Sequence, residues 1–410
     1  MSRAEPGLGM GSLVNIGQYY GQPPKEGCPL AFLKNAWRRA WPTIALAVVL
    51  FGVVAALPGI DPGGTMRLIP PVRKRLARPA FEVIGVYGAA SPAADGLSES
   101  VSYADLSDQT DIVDGIIGEW FTVDPTGRLS RADSDGQAVG FARSSGDSVW
   151  ALVTFETGNP GAGARSVDGA PAYLTDRDVR RTMTGRLAET AAAELYDGLV
   201  LDLSGLMTGT TGAADGVSAL VAETRRAMGR SGQVLGVVLP ALTAPREQAF
   251  AVDPAALAAV ADWLILQGWG EHWPGGSAGP LGGLEWLSAN LDALVAKVPP
   301  GQVSLALPAF AGDWPAGGTG AVRRAGRDAA ALRTAPGANA ADDPASGEVT
   351  VTYTAGTGEP RRLWYLDGAA TARRVRLARL YGLRGVVLWK LGEEDASWWP
   401  ALRGEAGPAR

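Results

Sequence analysis

The stretch YDGLVLDLSGL, residues 196–206, has the pattern of a buried parallel strand that runs into a loop. Its middle is apolar, and Asp202 stands at the end of the apolar part. In parallel α/β proteins the carboxyl ends of the strands carry the functional side chains, so Asp202 is a candidate site residue. Ser204 stands two residues after Asp202, and no second acidic residue follows Asp202 within the stretch. The pattern therefore indicates either an active site or the frame of one that has lost its acid.

Eight apolar runs predict β-strands. They are FEVIGVY (81–87), DIVDGIIGEW (111–120), SVWALVTF (148–155), GLVLDL (198–203), VLGVVLP (234–240), DWLILQG (262–268), VSLALP (303–308) and GVVLW (385–389). Helical patterns alternate with these runs, which predicts an α/β fold, a (β/α)8 TIM barrel over residues 81–402. A doubly wound sheet is the alternative. No glycine-rich phosphate loop follows any of the eight runs, which favours the barrel.

The clearest helical pattern begins at Thr175, a candidate N-cap residue. It places four apolar residues on one face, Val179, Met183, Leu187 and Leu195. Further helices are predicted over residues 215–229, 285–297 and 369–381.

An insertion over residues 311–367 separates the seventh and eighth predicted strands. It begins polar and rich in glycine and alanine, then gives EVTVTYT (348–354) and RRLWYLD (361–367). Two strand-like runs around glycines predict a small β-hairpin. On the upper face of a barrel, this hairpin would form one wall of a cleft.

The N-terminal region divides into three predicted parts. Residues 1–39 are glycine-rich and aperiodic, which predicts a flexible tail. Residues 61–80 are predicted to form a basic linker, whose charged stretch 67–78 either rests on anionic lipid headgroups or is simply solvated. Residues 40–60 carry no charge and match the thickness of a bilayer core, which predicts one transmembrane helix. A buried helix and a cleaved signal peptide are the alternatives. We therefore expect a single-pass protein of the bacterial inner (cytoplasmic) membrane, with the barrel on the periplasmic or extracellular side.

Composition excludes several classes of function. The net charge of -5 gives no electrostatic basis for binding nucleic acid. Cys28 and His272 are the only residues of their kinds, so an intrachain disulfide and a Cys/His zinc site are excluded. A Ser-His-Asp triad would need His272, and no G-x-S-x-G motif accompanies it. The sequence predicts no cofactor and no metal site.

The opening stretch resembles the signature strand of glycoside hydrolase family 18, the chitinase-like enzymes, whose core reads DG-x-D-x-D-x-E. The resemblance extends over residues 81–400 and is clearest at ADWLILQGWGEHWPGGSAGP (261–280), VSLALPAFAGDW (303–314) and residues 361–395. Within the family, the sequence is most similar to the domain found in bacterial polypeptides that also carry a polysaccharide deacetylase and a glycosyltransferase. The resemblance implies a TIM barrel and substrate-assisted cleavage of N-acetylglucosamine polymers.

The resemblance assigns roles to single residues. Asp202 matches the aspartate that orients the acetamido group of the substrate, and Trp389 matches the tryptophan that forms the floor of the sugar subsite. Ser204 stands where the family has its acid glutamate. A serine hydroxyl cannot act as a general acid near neutral pH, and loss of the acid alone lowers the rate by roughly 10²–10⁴-fold.

Three further positions depart from the family pattern. Val200 replaces the first inner aspartate, Trp269 replaces the tyrosine that binds the acetamido oxygen, and Gly270 replaces the aspartate after it. An indole N–H can donate a hydrogen bond, but its reach differs from that of a phenol. Several coordinated changes favour a loss of catalysis over a shifted motif.

Other candidates come from residue type and position. The tryptophans Trp120, Trp273 and Trp314 lie at or after predicted strand ends, where they could bind sugar or simply pack in the core. Glu119 and Glu271 are candidates for a relocated acid and for sugar binding, and a solvated loop charge is the alternative for both. We interpret His272 as a hydrogen-bonded loop residue.

The sequence thus predicts a membrane-anchored, catalytically inactive barrel that binds an N-acetylglucosamine-containing polysaccharide at the cell envelope. One alternative is a residual glycoside hydrolase with a relocated acid. Another is a protein-binding scaffold in exopolysaccharide assembly, with an exopolysaccharide synthase or deacetylase as its partner.

Overall fold

The computed structural model describes residues 81–88, 99–132, 136–157, 171–207 and 214–406. The chain divides into two compact units, Met1–Leu76 and Ala77–Arg410, and every described residue belongs to the second. The predicted tail, transmembrane segment and basic linker lie outside the described residues.

The described residues form fourteen strands and eleven α-helices. The strands are β1 (Glu82–Tyr87), β2 (Gly115–Val123), β3 (Leu129–Arg131), β4 (Ser148–Phe155), β5 (Gly198–Asp202), β6 (Val234–Leu239), β7 (Trp263–Gln267), β8 (Val303–Pro308), β9 (Phe310–Pro315), β10 (Val322–Ala325), β11 (Asn339–Asp343), β12 (Glu348–Thr354), β13 (Pro360–Tyr365) and β14 (Gly385–Trp389). The helices are α1 (Glu99–Asp108), α2 (Gly136–Ser145), α3 (Ala172–Thr175), α4 (Arg177–Ala193), α5 (Ser204–Met207), α6 (Ala214–Met228), α7 (Pro254–Ala258), α8 (Leu284–Val295), α9 (Gly326–Arg333), α10 (Gly368–Leu380) and α11 (Trp398–Ala406).

Eight of the strands close into a parallel barrel. Their order is β1-β14-β8-β7-β6-β5-β4-β2, and β2 pairs back with β1. The first and last of these strands meet at the register Glu82↔Gly385, where Arg384 also forms an ion pair with Glu82. Closure confirms the predicted TIM barrel and excludes the doubly wound sheet. All eight predicted strands are found in the chain where the apolar runs placed them.

The barrel interior is filled by apolar side chains, as expected of a packed barrel core. Trp150 and Trp263 are its largest members, and their rings meet at a tilt with centroids 5.3 Å apart. Gly236 makes room for them, since a Cβ there would lie 3.3 Å from the Trp263 ring. Val200 is fully buried in the same cluster.

The helix predicted to begin at Thr175 begins slightly later. Thr175 ends the short helix α3, and the Asp176 side chain caps α4 by accepting from the backbone N–H groups of residues 178 and 179. Leu195 was wrongly placed on the buried face. It follows α4 with a φ of 58° and is 56% exposed.

The insertion is larger than the predicted hairpin. Strands β12 and β13 do pair antiparallel, but they lie within a five-stranded sheet of order β10-β9-β13-β12-β11. Helix α9 packs on this sheet over a small apolar core that includes Val349, Val351 and Leu363. The sheet leaves the barrel directly after β8 and returns through α10 to β14, so it stands on the face where the barrel strands end.

A buried ion pair joins the insertion sheet to the barrel. Glu348 on β12 and Arg374 on α10 are 3.0 Å apart, and neither side chain is exposed to solvent. Glu348 also accepts from the backbone N–H groups of Leu281 and Gly282, and Arg374 donates to the carbonyl oxygen of Gly282. The pair therefore fixes three parts of the chain together: the sheet, a helix and the loop after β7.

The structure contradicts the membrane localisation that residues 40–60 predicted. Among the residues that the structure describes, no helix combines the length and the apolar character needed to cross a bilayer. The segment itself lies outside the described residues.

The substitution Arg374→Met tests the buried pair. It leaves the Glu348 carboxylate buried without its cation, so we expect the free energy of unfolding to fall by about 3–5 kcal/mol. Urea unfolding followed by circular dichroism measures this. The double variant Glu348→Gln/Arg374→Met carries no buried charge and should recover part of the loss. Arg246→Met, in the exposed pair with Glu285, is the control and should leave stability nearly unchanged. An equally small effect of Arg374→Met would contradict the role given to the pair.

Candidate functional site: an aromatic cleft at the barrel mouth

A cleft of about 370 Å³ opens where the barrel strands end and the insertion sheet begins. Its wall is largely aromatic and includes Trp269, Trp273, Phe310, Trp314 and Trp389. Three charged side chains also line it, Glu119, Arg323 and Lys390. Openings at this end of a TIM barrel are where the fold places its active sites.

The floor of the cleft consists of two tryptophans and a phenylalanine. Trp389, the last residue of β14, and Trp269, after β7, are half-buried and pack against the barrel interior. Their ring centroids are 5.6 Å apart, and Phe310 meets Trp269 edge-on at 5.5 Å. These contacts hold the rings in place while part of each remains accessible. Such a surface suits stacking on the apolar face of a ring-shaped ligand.

Asp202 and Ser204 bond to each other at the end of β5. The Ser204 hydroxyl donates to Asp202 Oδ1 at 2.6 Å, and the Ser204 backbone N–H donates to the same oxygen at 3.1 Å. Burial raises the pKa of Asp202, and the two bonds from Ser204 act against that rise. Among the described residues around the cleft, neither of the two lines its wall. The Asp202 carboxylate is thus engaged by both the hydroxyl and the backbone N–H of Ser204.

Glu119 and Lys390 form an ion pair beside the floor. Lys390 follows Trp389 through a cis peptide bond, and its Nζ donates to Glu119 Oε2 at 2.7 Å. Burial raises the pKa of Glu119, and the Lys390 charge acts against it. Arg323 lies with its Cζ 4.3 Å from the Phe310 ring centroid and forms an ion pair with Glu393. Both cations at the cleft are therefore neutralised by a carboxylate.

Two predicted sugar-binding tryptophans are not available to a ligand. Trp120 is 1% exposed and stacks on Tyr196 in the core between barrel and helices, 5.2 Å between ring centroids. The strand register shifts between Glu119 and Phe121, and this bulge turns Trp120 away from the cleft. Trp314 borders the cleft, but its side chain is fully buried and meets Trp364 edge-on, with 5.7 Å between the ring centroids. We therefore do not retain Trp120 or Trp314 as direct contacts.

The loop after β7 forms the rim of the cleft. Trp273 is 55% exposed there, and Gly270 has a φ of 117°, a conformation that favours glycine. His272 Nδ1 lies 3.0 Å from the carbonyl oxygen of Ser277, in keeping with its interpretation as a loop residue.

Glu271 has a structural role. Its Oε2 accepts from the backbone N–H of Gly283 at 2.6 Å, at the start of α8. A carboxylate at a helix N-terminus stabilises the helix. Glu271 does not line the cleft formed by the described residues, so the prediction that it could serve as a relocated acid is not supported.

Three residues that line the cleft were not identified as candidates from the sequence: Phe310, Arg323 and Lys390. Lys390 could have been identified, since it directly follows the tryptophan at the end of the last strand. Phe310 and Arg323 could not, because only the folding of the insertion sheet brings them to the cleft.

The substitution Ser204→Ala tests the contact at the end of β5. It removes the hydroxyl bond to the Asp202 carboxylate, so the pKa of Asp202 should rise further. Titration of the carboxyl carbon by NMR measures this. Thr334→Ala removes a hydroxyl that bonds only to a backbone carbonyl and should leave Asp202 unchanged. An unchanged or lower Asp202 pKa in Ser204→Ala would show that the contact is absent in solution.

No family model matches the sequence. A curated relative, an uncharacterized glycosylase named YvbX from Bacillus subtilis (strain 168), is 22% identical over 312 residues, which are 74% of this chain and 88% of the relative. Several solved structures are also similar to this chain over most of its length.

A chitinase from Chromobacterium violaceum superposes with a TM-score of 0.67 at 22% identity, over 79% of this chain and 98% of that one. The spore cortex-lytic enzyme SleL of Bacillus megaterium gives 0.63 at 16% identity, over 79% and 74%. A Group II chitinase catalytic domain from Ostrinia furnacalis, solved in complex with penta-N-acetylchitooctaose, gives 0.62 at 16% identity, over 81% and 99%. All three structures are below 25% identity and show the fold: the chain carries a barrel like those of these chitinases and of the cortex-lytic enzyme.

Proposed function

We propose that this protein is a catalytically inactive, chitinase-like barrel that binds an N-acetylglucosamine-containing polysaccharide. The observation that carries the proposal is the contact between Ser204 and Asp202, 2.6 Å between the hydroxyl and the carboxylate. The residue at the acid position offers no proton that could be transferred near neutral pH, and it occupies the carboxylate that would orient the substrate.

The aromatic floor supports retention of sugar binding. Trp389 stays at the end of the last strand, half-exposed, with Trp269 and Phe310 beside it. Binding needs only the fixed rings and a few polar groups, whereas hydrolysis also needs an acid placed at the glycosidic oxygen. Two of the structural neighbours are chitinases, which supports a chitin-like ligand for the cleft of this protein.

Isothermal titration calorimetry on the full chain tests the proposal. The titrants are β-1,4- and β-1,6-linked N-acetylglucosamine oligomers. We expect heats that saturate and return to baseline with one of the linkages. A sustained heat flow after each injection would mean turnover and would overturn the inactive assignment. The absence of heat with both oligomers would overturn the binding assignment.

Trp389→Leu is the variant for this experiment. It removes the stacking ring but keeps an apolar side chain against the barrel interior, and affinity should fall about tenfold or more. Leu380→Ala, on the exposed side of α10, is the control and should bind like the unchanged protein.

A residual glycoside hydrolase is the second candidate, and Glu119 is the observation that favours it. Glu119 lines the cleft, and burial raises its pKa, as a general acid requires. Its contact with Lys390 opposes this role, because the ammonium stabilises the charged carboxylate. Sustained heat that disappears in Glu119→Gln would support this candidate.

Ser204→Glu alone should not produce hydrolysis of chitin oligomers. The new carboxyl would lie beside the buried Asp202, and Trp269 and Gly270 would still lack the groups that bind the acetamido oxygen. Release of reducing sugar measures the outcome. A rate more than about 10²-fold above the unchanged protein, the lower end of the contribution of a positioned acid, would contradict a site that has diverged as a whole.

The scaffold alternative and its synthase or deacetylase partner remain predictions.

A further inference from the structure

A second pocket, of about 530 Å³, lies on the insertion sheet. Strands β12 and β13, the segment after β9 and Ala278 of the loop after β7 contribute to it. The described residues that line it differ from those that line the barrel-mouth cleft. Trp314 borders the cleft and Trp364 borders the second pocket, and their rings meet edge-on with centroids 5.7 Å apart. The second pocket is therefore a separate cavity beside the cleft.

The charged side chains in the wall of the second pocket are all positive. They are Arg361 and Arg362, and no acidic residue lines the pocket in the part of the chain that the structure describes. The cleft differs, since Lys390 and Arg323 each have a carboxylate partner there. An anionic ligand in the second pocket would thus meet no acidic side chain on the described wall.

Arg361 is engaged by two carboxylates. Its Nε donates to Asp313 Oδ1 at 3.0 Å, and its Nη1 donates to Glu359 Oε2 at 2.7 Å. Asp313 is fully buried and also accepts from Arg324 Nε at 2.6 Å and from the Tyr353 hydroxyl at 2.7 Å. This network holds Arg361 in place and leaves its charge compensated.

Arg362 is not compensated in this way. The ion pairs at this end of the sheet use Arg324 and Arg361, whereas Arg362 forms none with the residues that the structure describes. Arg362 and Trp364 lie on the same face of β13, and the Arg362 Cζ is 5.3 Å from the Trp364 ring centroid. Stacking on an aromatic ring orients the plane of a guanidinium, and its planar fork can then bind a carboxylate through two parallel hydrogen bonds.

The cluster as a whole carries one positive charge in excess. Its three arginines, Arg324, Arg361 and Arg362, stand against two carboxylates, Asp313 and Glu359. One negative charge on a ligand would balance the cluster.

Hydroxyl groups lie beside Arg362. Thr352 is directly opposite Arg362 in the strand register, and both Thr352 and Thr354 line the pocket. The Thr352 hydroxyl donates to the carbonyl oxygen of Asn339 at 3.3 Å, so it is left to accept from a ligand hydroxyl. A guanidinium fork next to a hydroxyl acceptor suits a ligand that carries both a carboxylate and hydroxyl groups.

We propose that the second pocket binds a carboxylate-bearing sugar unit, with Arg362 as the contact for its carboxylate. The choice of a saccharide rests on the proposed function, and the inference adds that the bound polysaccharide carries acidic sugar units. The neutral units occupy the cleft, and an acidic unit occupies the second pocket.

Calorimetry on the full chain tests the inference with matched ligands. They are β-1,4-linked oligomers of glucuronic acid and of glucose of equal length, with hexaglutamate as a carboxylate-bearing ligand that is not a sugar. The unchanged protein should bind the glucuronic acid oligomer at least about tenfold more tightly than the other two. Added salt should weaken this binding, since the contact is ionic and partly exposed.

Arg362→Leu is the variant for this experiment. It removes the charge but keeps an apolar side chain over Trp364, and affinity for the glucuronic acid oligomer should fall about tenfold or more. Arg362→Lys keeps the charge without the planar fork and should lose part of the affinity. Arg226→Leu, an exposed arginine on α6, changes the net charge equally and is the control. Trp389→Leu, which weakens the cleft, should leave this binding unchanged.

The outcomes separate the two proposals. Equal affinity for the glucuronic acid and glucose oligomers, or for the glucuronic acid oligomer and hexaglutamate, would overturn this inference. So would full affinity in Arg362→Leu or Arg362→Lys, or a loss of affinity in Trp389→Leu. Absence of heat with N-acetylglucosamine oligomers, together with glucuronic acid binding that depends on Arg362, would overturn the proposed function and support the second pocket as an acidic-sugar site.

Discussion

The buried Glu348–Arg374 pair is the constraint on which the cleft depends. Strand β12, helix α10 and the backbone after β7 all bond to it, and none of these groups can find water instead. The backbone held at Leu281 continues to the rim that carries Trp273, so one ion pair sets the insertion sheet and the rim in fixed positions. Aromatic side chains that are already fixed in position lose little conformational entropy when a ligand binds, which favours affinity.

The barrel interior and the end of β5 offer no free charge to the cleft. Val200 packs in an apolar interior beside Trp150 and Trp263. Two residues later on β5, the Asp202 carboxylate accepts a hydrogen bond from the Ser204 hydroxyl. Charged side chains lie instead at the cleft wall, where Glu119 and Lys390 neutralise each other. The charged groups that line the described cleft therefore come from β2, β10 and the residue after β14, and not from β5.

The eight barrel strands could be predicted because each is a short apolar run, and burial on both faces leaves no other pattern. Trp120 could not be distinguished from Trp389 in this way, since each is the last residue of its apolar run in the sequence. In the structure β2 continues to Val123, and the bulge in β2 turns Trp120 into the outer core. Strand β11, NAADD, has no strand-like pattern and forms only because β12 offers it an edge. Glu271 looked like a loop acid because the helix N-terminus that it caps lies twelve residues later.

Barrel closure has a consequence for synthesis. Glu82 and Arg384, which join the first and last strands, are 302 positions apart, so the sheet cannot close before almost the whole barrel has left the ribosome. Until β14 is made, β1 and β8 both present unpaired backbone groups on apolar strands, the kind of edge that recruits other chains. Such distant pairing also slows folding after release. The nascent barrel is therefore exposed to misassembly for most of its translation, and its last strand ends that exposure.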